Sequence, residues 1–453
     1  MADVDYCVIG AGFAGLTAAL RLKQAGRSVA LVEARDRVGG RTFTQVLDDG
    51  TWIDRGGAWT GPGQDRIYAM MREFGIGSYK QYLDGEAMMV VDGKQHRYSG
   101  TIPMNMSPWV VANLGAVFLE LGQMCKSIPL DEPWNAKNAT KWDQISLAKW
   151  LSGHTLSKPA HELLDTALAG LYTSAASEVS MLWALYQMAS GGGPNFVLSI
   201  KDGSQDARVV GGIGAISSAM VAELADSLHL SQPVHRIEQD ADGVTVCADR
   251  MTVRARCVVV AVPLVIANQI SYEPMLPVDR TFLQQRVPSG AVFKINIVYD
   301  EPFWRADGLT GQSAAPNTPA PVTIEACTDR DRPGVMCVIV EGPLAREACR
   351  LDESERRAAV LAELVKRFGD KAASPEHYIE QNWTVERYSG GGMIGHTGTG
   401  VLTEFGHALR EPCGRIHWAG TESSAVMCGW IDGAIRSGER AAGEVLAAES
   451  VAA

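Results

Sequence analysis

The residues Gly10-Ala11-Gly12-Phe13-Ala14-Gly15 stand between two segments of different periodicity, and no other stretch narrows the choice of fold as far. Before them, residues 4–9 form a β-rich apolar run. After them, Leu16, Ala19, Leu20 and Leu22 recur at helical spacing as far as Gly26, a helix stop. Residues 28–33 then read as a second strand. Two strands joined through a helix make a βαβ unit with parallel strands. The glycines permit a tight turn and close approach of backbone to ligand, and the helix amino terminus they open attracts a pyrophosphate. Glu33 lies eighteen residues past Gly15, at the end of the second strand, where a carboxylate accepts ribose hydroxyls. Gly10, Gly12 and Gly15 are a weak signal alone. Strand, helix and acidic residue in the right places make them a dinucleotide-binding turn.

At 453 residues the chain exceeds what one hydrophobic core usually supports, which implies two domains. The net charge of -11 gives no reason to expect nucleic acid or an anionic membrane surface as a partner. Nine cysteines are scattered without a CxxC pair, so no metal and no redox disulfide are indicated. Cys7 and Cys257 fall in strand-like runs and read as buried thiols. The first residues are acidic and enter a strand at once, unlike a secretory signal. The longest apolar stretch, residues 108–119, is too short to span a bilayer, and the last residues read as a polar helix without an anchor. The expectation is a cytoplasmic protein that meets no membrane.

Helical patterns occupy residues 146–152, 160–171 and 179–189. Strand patterns return at 232–246, at 257–263, where the run is apolar throughout, at 289–299 and at 416–419, and a helix follows over 433–446. Nucleotide-like features therefore occur at the start, in the middle and at the end. The expected fold class is α/β, with a discontinuous Rossmann-type domain of residues 1–80, 205–285 and 390–453. A substrate-binding α+β domain of residues 81–204 and 286–389 is inserted into it.

The segment after Glu33 selects the dinucleotide. Arg35, Arg37, a second glycine pair Gly39-Gly40, and Arg41 serve no purpose in a nicotinamide dehydrogenase but suit a longer, buried FAD. Here the chain resembles the flavin-containing monoamine oxidase family, and its bacterial amine oxidases of the putrescine oxidase type, nearly from end to end. Asp54-Arg55-Gly56-Gly57-Ala58-Trp59 resembles the family's flavin-side glycine turn. Pro233-Val234 matches its backbone contact to adenine, and residues 287–294 match the stretch that holds its lysine, here Lys294, near flavin N5. Trp383 and Tyr388-Ser389-Gly390-Gly391 match the approach to the flavin face. His417-Trp418-Ala419-Gly420-Thr421-Glu422 and Gly429-Trp430-Ile431-Asp432-Gly433-Ala434 resemble its carboxy-terminal flavin motif. The resemblance thus implies contacts to FAD from Gly10, Gly12, Gly15, Glu33, Arg35, Gly40, Arg41, Gly57, Ala58, Trp59, Val234, Trp383, Gly420, Thr421, Glu422, Trp430, Ile431 and Ala434.

Where animal relatives carry a cysteine bound to the flavin, this chain has Gly392, so the FAD is expected to be non-covalent, and Cys428 reads as a packed thiol. Met393 and Trp430 match the two positions of the family's aromatic cage, of which Trp430 alone is aromatic. Lys294 and Trp430 are the residues expected at the chemistry. In isolation, Lys294 reads equally well as a lysine on the solvent face of an alternating strand. Leu198 and Gln205 match a pocket-lining and gating segment, and Leu171 and Tyr172 a second lining stretch. Glu325, in an apolar stretch that matches the cavity entrance, either receives the distal ammonium of a diamine or is a solvated strand glutamate.

The implied reaction is oxidation of a primary amine, including a short diamine such as putrescine, to aldehyde, ammonia and hydrogen peroxide. The hard chemistry belongs to the cofactor, and the protein supplies binding, orientation and dryness. The expected partners are a small-molecule amine and oxygen, with a homodimer left open. Aromatic monoamine oxidation, a desaturase-type dehydrogenation in the same superfamily and a non-enzymatic flavoprotein are the competing readings.

Overall fold

The amino-terminal strand, turn and helix form where the glycine pattern puts them. In the computed structural model, which describes residues 2–91, 93–100, 106–330 and 332–452 with the side chains of 2 and 449–452 aside, Ala2–Ile9 is a strand and Phe13–Gln24 a helix. Gly10 turns the chain at φ +96°. A Cβ on Gly15 would lie 1.8 Å from the Gly10 carbonyl oxygen, so the helix meets the strand at a distance only glycine allows. The last residue of the expected carboxy-terminal helical tail, 453, lies outside the described residues; the helix itself runs Ile431–Ala452.

These elements seed an eight-stranded sheet in the order Leu228–His229, Val29–Val32, Ala2–Ile9, Thr252–Val260, Val244–Ala248, Val234–Gln239 and Ser271–Glu273, with Ile416–Trp418 also on Thr252–Val260. Ala2–Ile9 pairs in parallel with Val29–Val32 and with Thr252–Val260. Amino-terminal, central and carboxy-terminal segments therefore share one sheet. One expectation is corrected. Residues 232–246 are two antiparallel strands rather than one, because the Asp240 carboxylate accepts the backbone N–H groups of Asp242 and Gly243 at 2.8 Å each and closes a turn. The helix Phe13–Gln24 packs with Gly214–Leu224 and Ile431–Ala452 on the sheet, around Leu16, Leu20, Val259 and Val445. Each such fully buried side chain contributes roughly 1.5–3 kcal/mol.

A second, seven-stranded sheet runs His377–Asn382, Val292–Tyr299, Gly334–Glu341, Val322–Glu325, Leu309–Ala314, Glu86–Val91 and Lys94–Tyr98. Every residue of Val292–Tyr299 is buried. Phe293, Ile295 and Ile297 pack with the helix Glu353–Phe368. The alternate residues face the first sheet's domain: Lys294 donates to the Gly56 carbonyl and Asn296 to the Asp54 carbonyl. Lys294 is thus not on a solvent face. Its strand is the seam between the two sheets.

Helices cover the remaining side of the cavity. Lys158–Tyr172 begins near Ser157, and Met181–Ser190 is capped by the Ser180 hydroxyl, which accepts from Trp183 N at 3.1 Å. The apolar stretch expected at 108–119 belongs to the helix Pro108–Cys125. Among the described residues no helix is long and apolar enough to cross a membrane.

Candidate active site

A cavity of about 650 Å3 extends from the carboxyl ends of the first sheet's strands to the face of the second sheet. Placement of a ligand at strand carboxyl ends is what an open α/β sheet provides. On the first sheet, the cavity is lined by Gly10, Gly12, Glu33, Arg35 and Val234, and next to them by Gly40, Arg41, Gly57, Ala58, Gly420 and Thr421. Trp59, Lys294, Trp383, Met393, Trp430, Ile431 and Ala434 also line it, as do Leu198 and Gln205. Residues separated by hundreds of positions thus line one cavity.

Local contacts fix these side chains. Glu33 accepts the N–H of Ala11 at 2.7 Å and that of Arg35 at 2.9 Å, which holds its carboxylate beside the glycine turn. Arg35 bridges Glu33, Glu386 and the Ser389 hydroxyl. Arg41 donates to Glu422 at 2.8 Å and to the Met393 carbonyl at 2.9 Å. Trp383 donates its indole N–H to the Arg55 carbonyl at 2.8 Å. Met393 takes a left-handed conformation, φ +45°, in the turn that presents it. Trp430 stands against Gly191, whose missing side chain gives the ring its place: a Cβ there would fall 2.8 Å from the indole.

Lys294 is almost wholly buried, donates to the Gly56 carbonyl at 2.7 Å, and sits 4.7 Å from the centre of the Trp59 ring. Desolvation by burial lowers its pKa. Trp59 is itself held through Gln81, which accepts its indole N–H at 2.9 Å.

Four residues expected at the site do not line the cavity. Gly15 and Glu422 support it from behind: Gly15 permits the close helix approach, and Glu422 pairs with Arg41 while accepting the Gly395 N–H at 3.0 Å. Glu422 is buried, which raises its pKa, but Arg41 outweighs burial and the net direction is downward. Tyr172 is corrected as a lining residue. Its ring is fully buried among the helices and its hydroxyl donates to the Ala184 carbonyl at 2.9 Å, while its neighbour Leu171 reaches the cavity. Glu325 is also corrected. Its carboxylate is 1% exposed and is engaged by Trp304 and Arg305, while its neighbour Ile324 faces the cavity.

Sequence reasoning missed Glu341 and Gln187. Both line the cavity. Among the described residues, the side-chain oxygen of Gln187, on the helix Met181–Ser190, is buried without a partner. Glu341 ends the strand Gly334–Glu341 and burial pushes its carboxyl up to about 8. An isolated glutamate at the end of an apolar run was the available signal, and Glu325 carried the same one.

The lining fits an elongated dinucleotide. Gly12 and Gly40 approach so closely that a Cβ on Gly40 would lie 3.1 Å from the Gly12 Cα, which leaves backbone rather than side chains facing the cavity there. Two helices, Phe13–Gln24 and Ile431–Ala452, direct their amino termini at the cavity, as suits anionic and electron-rich groups. Among the described residues, no cluster of His, Cys, Asp and Glu suited to a metal is present.

The family model for flavin containing amine oxidoreductases matches residues 13–446. A protein of Mycobacterium tuberculosis that bears the name flavin-containing monoamine oxidase AofH is 36% identical over 444 residues, covering 98% of this chain and 97% of its own. The flavin-containing amine oxidase A of Equus caballus is 34% identical over 450 residues, with 98% and 85% covered. Among solved structures, putrescine oxidase bound to putrescine superimposes with a TM-score of 0.94 at 32% identity, with 98% of this chain and 99% of that chain covered. Cyclohexylamine oxidase from Brevibacterium oxydans gives 0.95 at 31% identity, with 99% and 100% covered.

Proposed function

Because the chain belongs to the flavin-containing amine oxidoreductase family and is an FAD-dependent amine oxidase, we propose that it deaminates a primary aliphatic amine, diamines of the putrescine type included. The observation that carries this reading is that Lys294 and Trp430 line the same cavity as Glu33 and the glycine turn. FAD, when bound, supplies the two-electron oxidant and delivers the electrons to oxygen.

In this reading, Glu33 and the backbone around Gly10 and Gly12 hold the adenosine and pyrophosphate, and Val234 backs the adenine. Arg41, Gly57, Thr421 and the amino terminus of Ile431–Ala452 hold the flavin side. Gly392 stands where a covalent link would form, so the FAD is non-covalent. Trp430 and Met393 wall the reacting amine, and Leu171, Leu198, Ile324 and Ile339 supply the apolar surface. An ammonium has no lone pair to release. Desolvation against these side chains lowers the amine's pKa and favours the neutral form. The imine left after two-electron oxidation hydrolyses to aldehyde and ammonia, and oxygen leaves as hydrogen peroxide.

The proposal extends to a division of labour in which residues 1–80, 205–285 and 390–453 bind FAD while 81–204 and 286–389 shape the substrate cavity. It also extends to a cytoplasmic enzyme, with a homodimer as the assembly for sedimentation to test. The deciding experiment mixes holoenzyme anaerobically with putrescine, butylamine, benzylamine and tyramine, then admits air. Bleaching of the flavin absorbance by the aliphatic amines, recovery in air and one peroxide per turnover are expected. Flavin that stays oxidised with every amine would overturn the reading, and a benzylamine preference would replace the aliphatic assignment with the aromatic one.

A further inference from the structure

Glu341 is a buried acid with no partner among the described residues. It is 8% exposed and lines the cavity, yet among the described residues its carboxylate makes no hydrogen bond and no ion pair. It does not cap the helix Gly342–Ala348 that follows it. The opposite wall makes room for it: a Cβ on Gly170, in the helix Lys158–Tyr172, would come within 2.9 Å of Glu341 Oε2. Glu33 and Asp249 line the cavity too, but Glu33 is bound by backbone N–H groups and Asp249 lies 4.0 Å from His235. The cation on the same sheet face is already engaged, since Lys294 donates to Gly56.

Strand register sets how far Glu341 lies from the chemistry. Glu341 is the partner of Val292, and Lys294 is the partner of Ile339. Lys294 and Glu341 are therefore diagonal neighbours on adjacent antiparallel strands, with backbones about 7–8 Å apart, and all four residues line the cavity. A ligand whose reacting end lies by Lys294 has Glu341 within one short alkyl chain.

We propose that the Glu341 carboxylate receives the distal ammonium of a short diamine whose other amine is oxidised, an inference that rests on the amine-oxidase reading above. Burial of an unpaired carboxylate is costly, and an ammonium in the cavity offsets that cost by a charge-assisted hydrogen bond that a methyl group cannot make. The desolvation that raises the acid's pKa to about 8 is the same effect an ammonium would oppose. Glu325, with its charge already met by Arg305, cannot serve in this way.

The test compares putrescine with butylamine, which share a chain and differ in the distal group. In the holoenzyme, Glu341→Gln is expected to lower the putrescine-to-butylamine ratio of kcat/KM by about 10- to 100-fold. Gly170→Ala, which crowds Oε2 without touching the carboxylate's chemistry, is expected to lower the same ratio. Binding is read separately, as the rise in Tm of the holoenzyme with each amine. The wild type should gain more from putrescine, and Glu341→Gln should lose that difference. A ratio that moves less than about threefold, with an unchanged Tm difference, overturns the proposal. Absence of turnover with any amine overturns the amine-oxidase reading alone, because the Tm comparison still decides the role of Glu341.

Discussion

Arg305 grips the Glu325 carboxylate at both oxygens, with Nε 3.0 Å from Oε2 and Nη2 2.5 Å from Oε1, and the Trp304 indole N–H donates to the same Oε2 at 2.8 Å. The backbone carbonyl of Glu325 meanwhile accepts from Gln81 at 2.8 Å, and Gln81 holds Trp59 beside Lys294. Glu325 is a structural anchor behind the cavity wall. Glu325→Gln is therefore expected to leave the putrescine-to-butylamine ratio of kcat/KM within about threefold, while costing about 2 kcal/mol through the unmatched charge of Arg305. Steady-state kinetics and the thermal midpoint of the holoenzyme check the two halves. A collapse of the ratio with an unchanged midpoint would return Glu325 to the substrate.

Lys294→Met should keep FAD bound, because Glu33, Arg41 and the backbone around Gly10 and Gly12 hold it in this reading and none of them is a partner of the lysine. It removes a preorganised positive donor from the reacting end of the cavity. The oxidative half-reaction is expected to slow at least about tenfold more than anaerobic reduction by amine. Stopped-flow measurement of each half separates them. Equal slowing of both would assign Lys294 to general positioning.

Gly392 predicts free flavin and also explains why this chain cannot simply acquire a covalent link. A Cβ at 392 would lie 1.8 Å from Val292 Cγ1 and 3.4 Å from the Trp383 Cβ. Denatured wild-type protein is expected to release intact FAD into the supernatant. Gly392→Cys is expected to lose roughly 1–3 kcal/mol to overpacking, and pairing it with Val292→Ala should restore part of that. Flavin that precipitates with wild-type polypeptide would contradict the first expectation.

His417, on the strand Ile416–Trp418, gives a pH signature. Burial opposes its charged form, but hydrogen bonds with the Cys257 sulfur and with Glu444, 3.0 Å away, outweigh it and hold the ring's pKa at about 9 against an ordinary 6.5. A folded pKa above the unfolded one means the imidazolium's contribution is complete below about pH 6.5 and is lost as pH rises through about 9. The Tm difference between wild type and His417→Gln should be largest near pH 6 and shrink by pH 9.5. A difference that grows with pH would reverse the assignment.

The dinucleotide half of this protein could be read without coordinates because its determinants are local. The turn at Gly10, the close approach at Gly15 and the helix opening after it are set by backbone sterics over six residues, and Glu33 follows one strand later. The resemblance of separated motifs pointed to Lys294 and Trp430, and both line the cavity. The identity of the free acid was a different kind of question. Side chains alternate across a strand, so Ile324 faces the cavity and Glu325 faces Arg305, and a shift of one residue would exchange them. Glu341 reaches the cavity because its strand pairs with Val292–Tyr299 in one register and because Gly170, far away in sequence, leaves it space. Composition and motif fixed which chemistry the chain can hold. Register and long-range packing decided which of two similar glutamates is satisfied by an arginine and which is left facing the substrate.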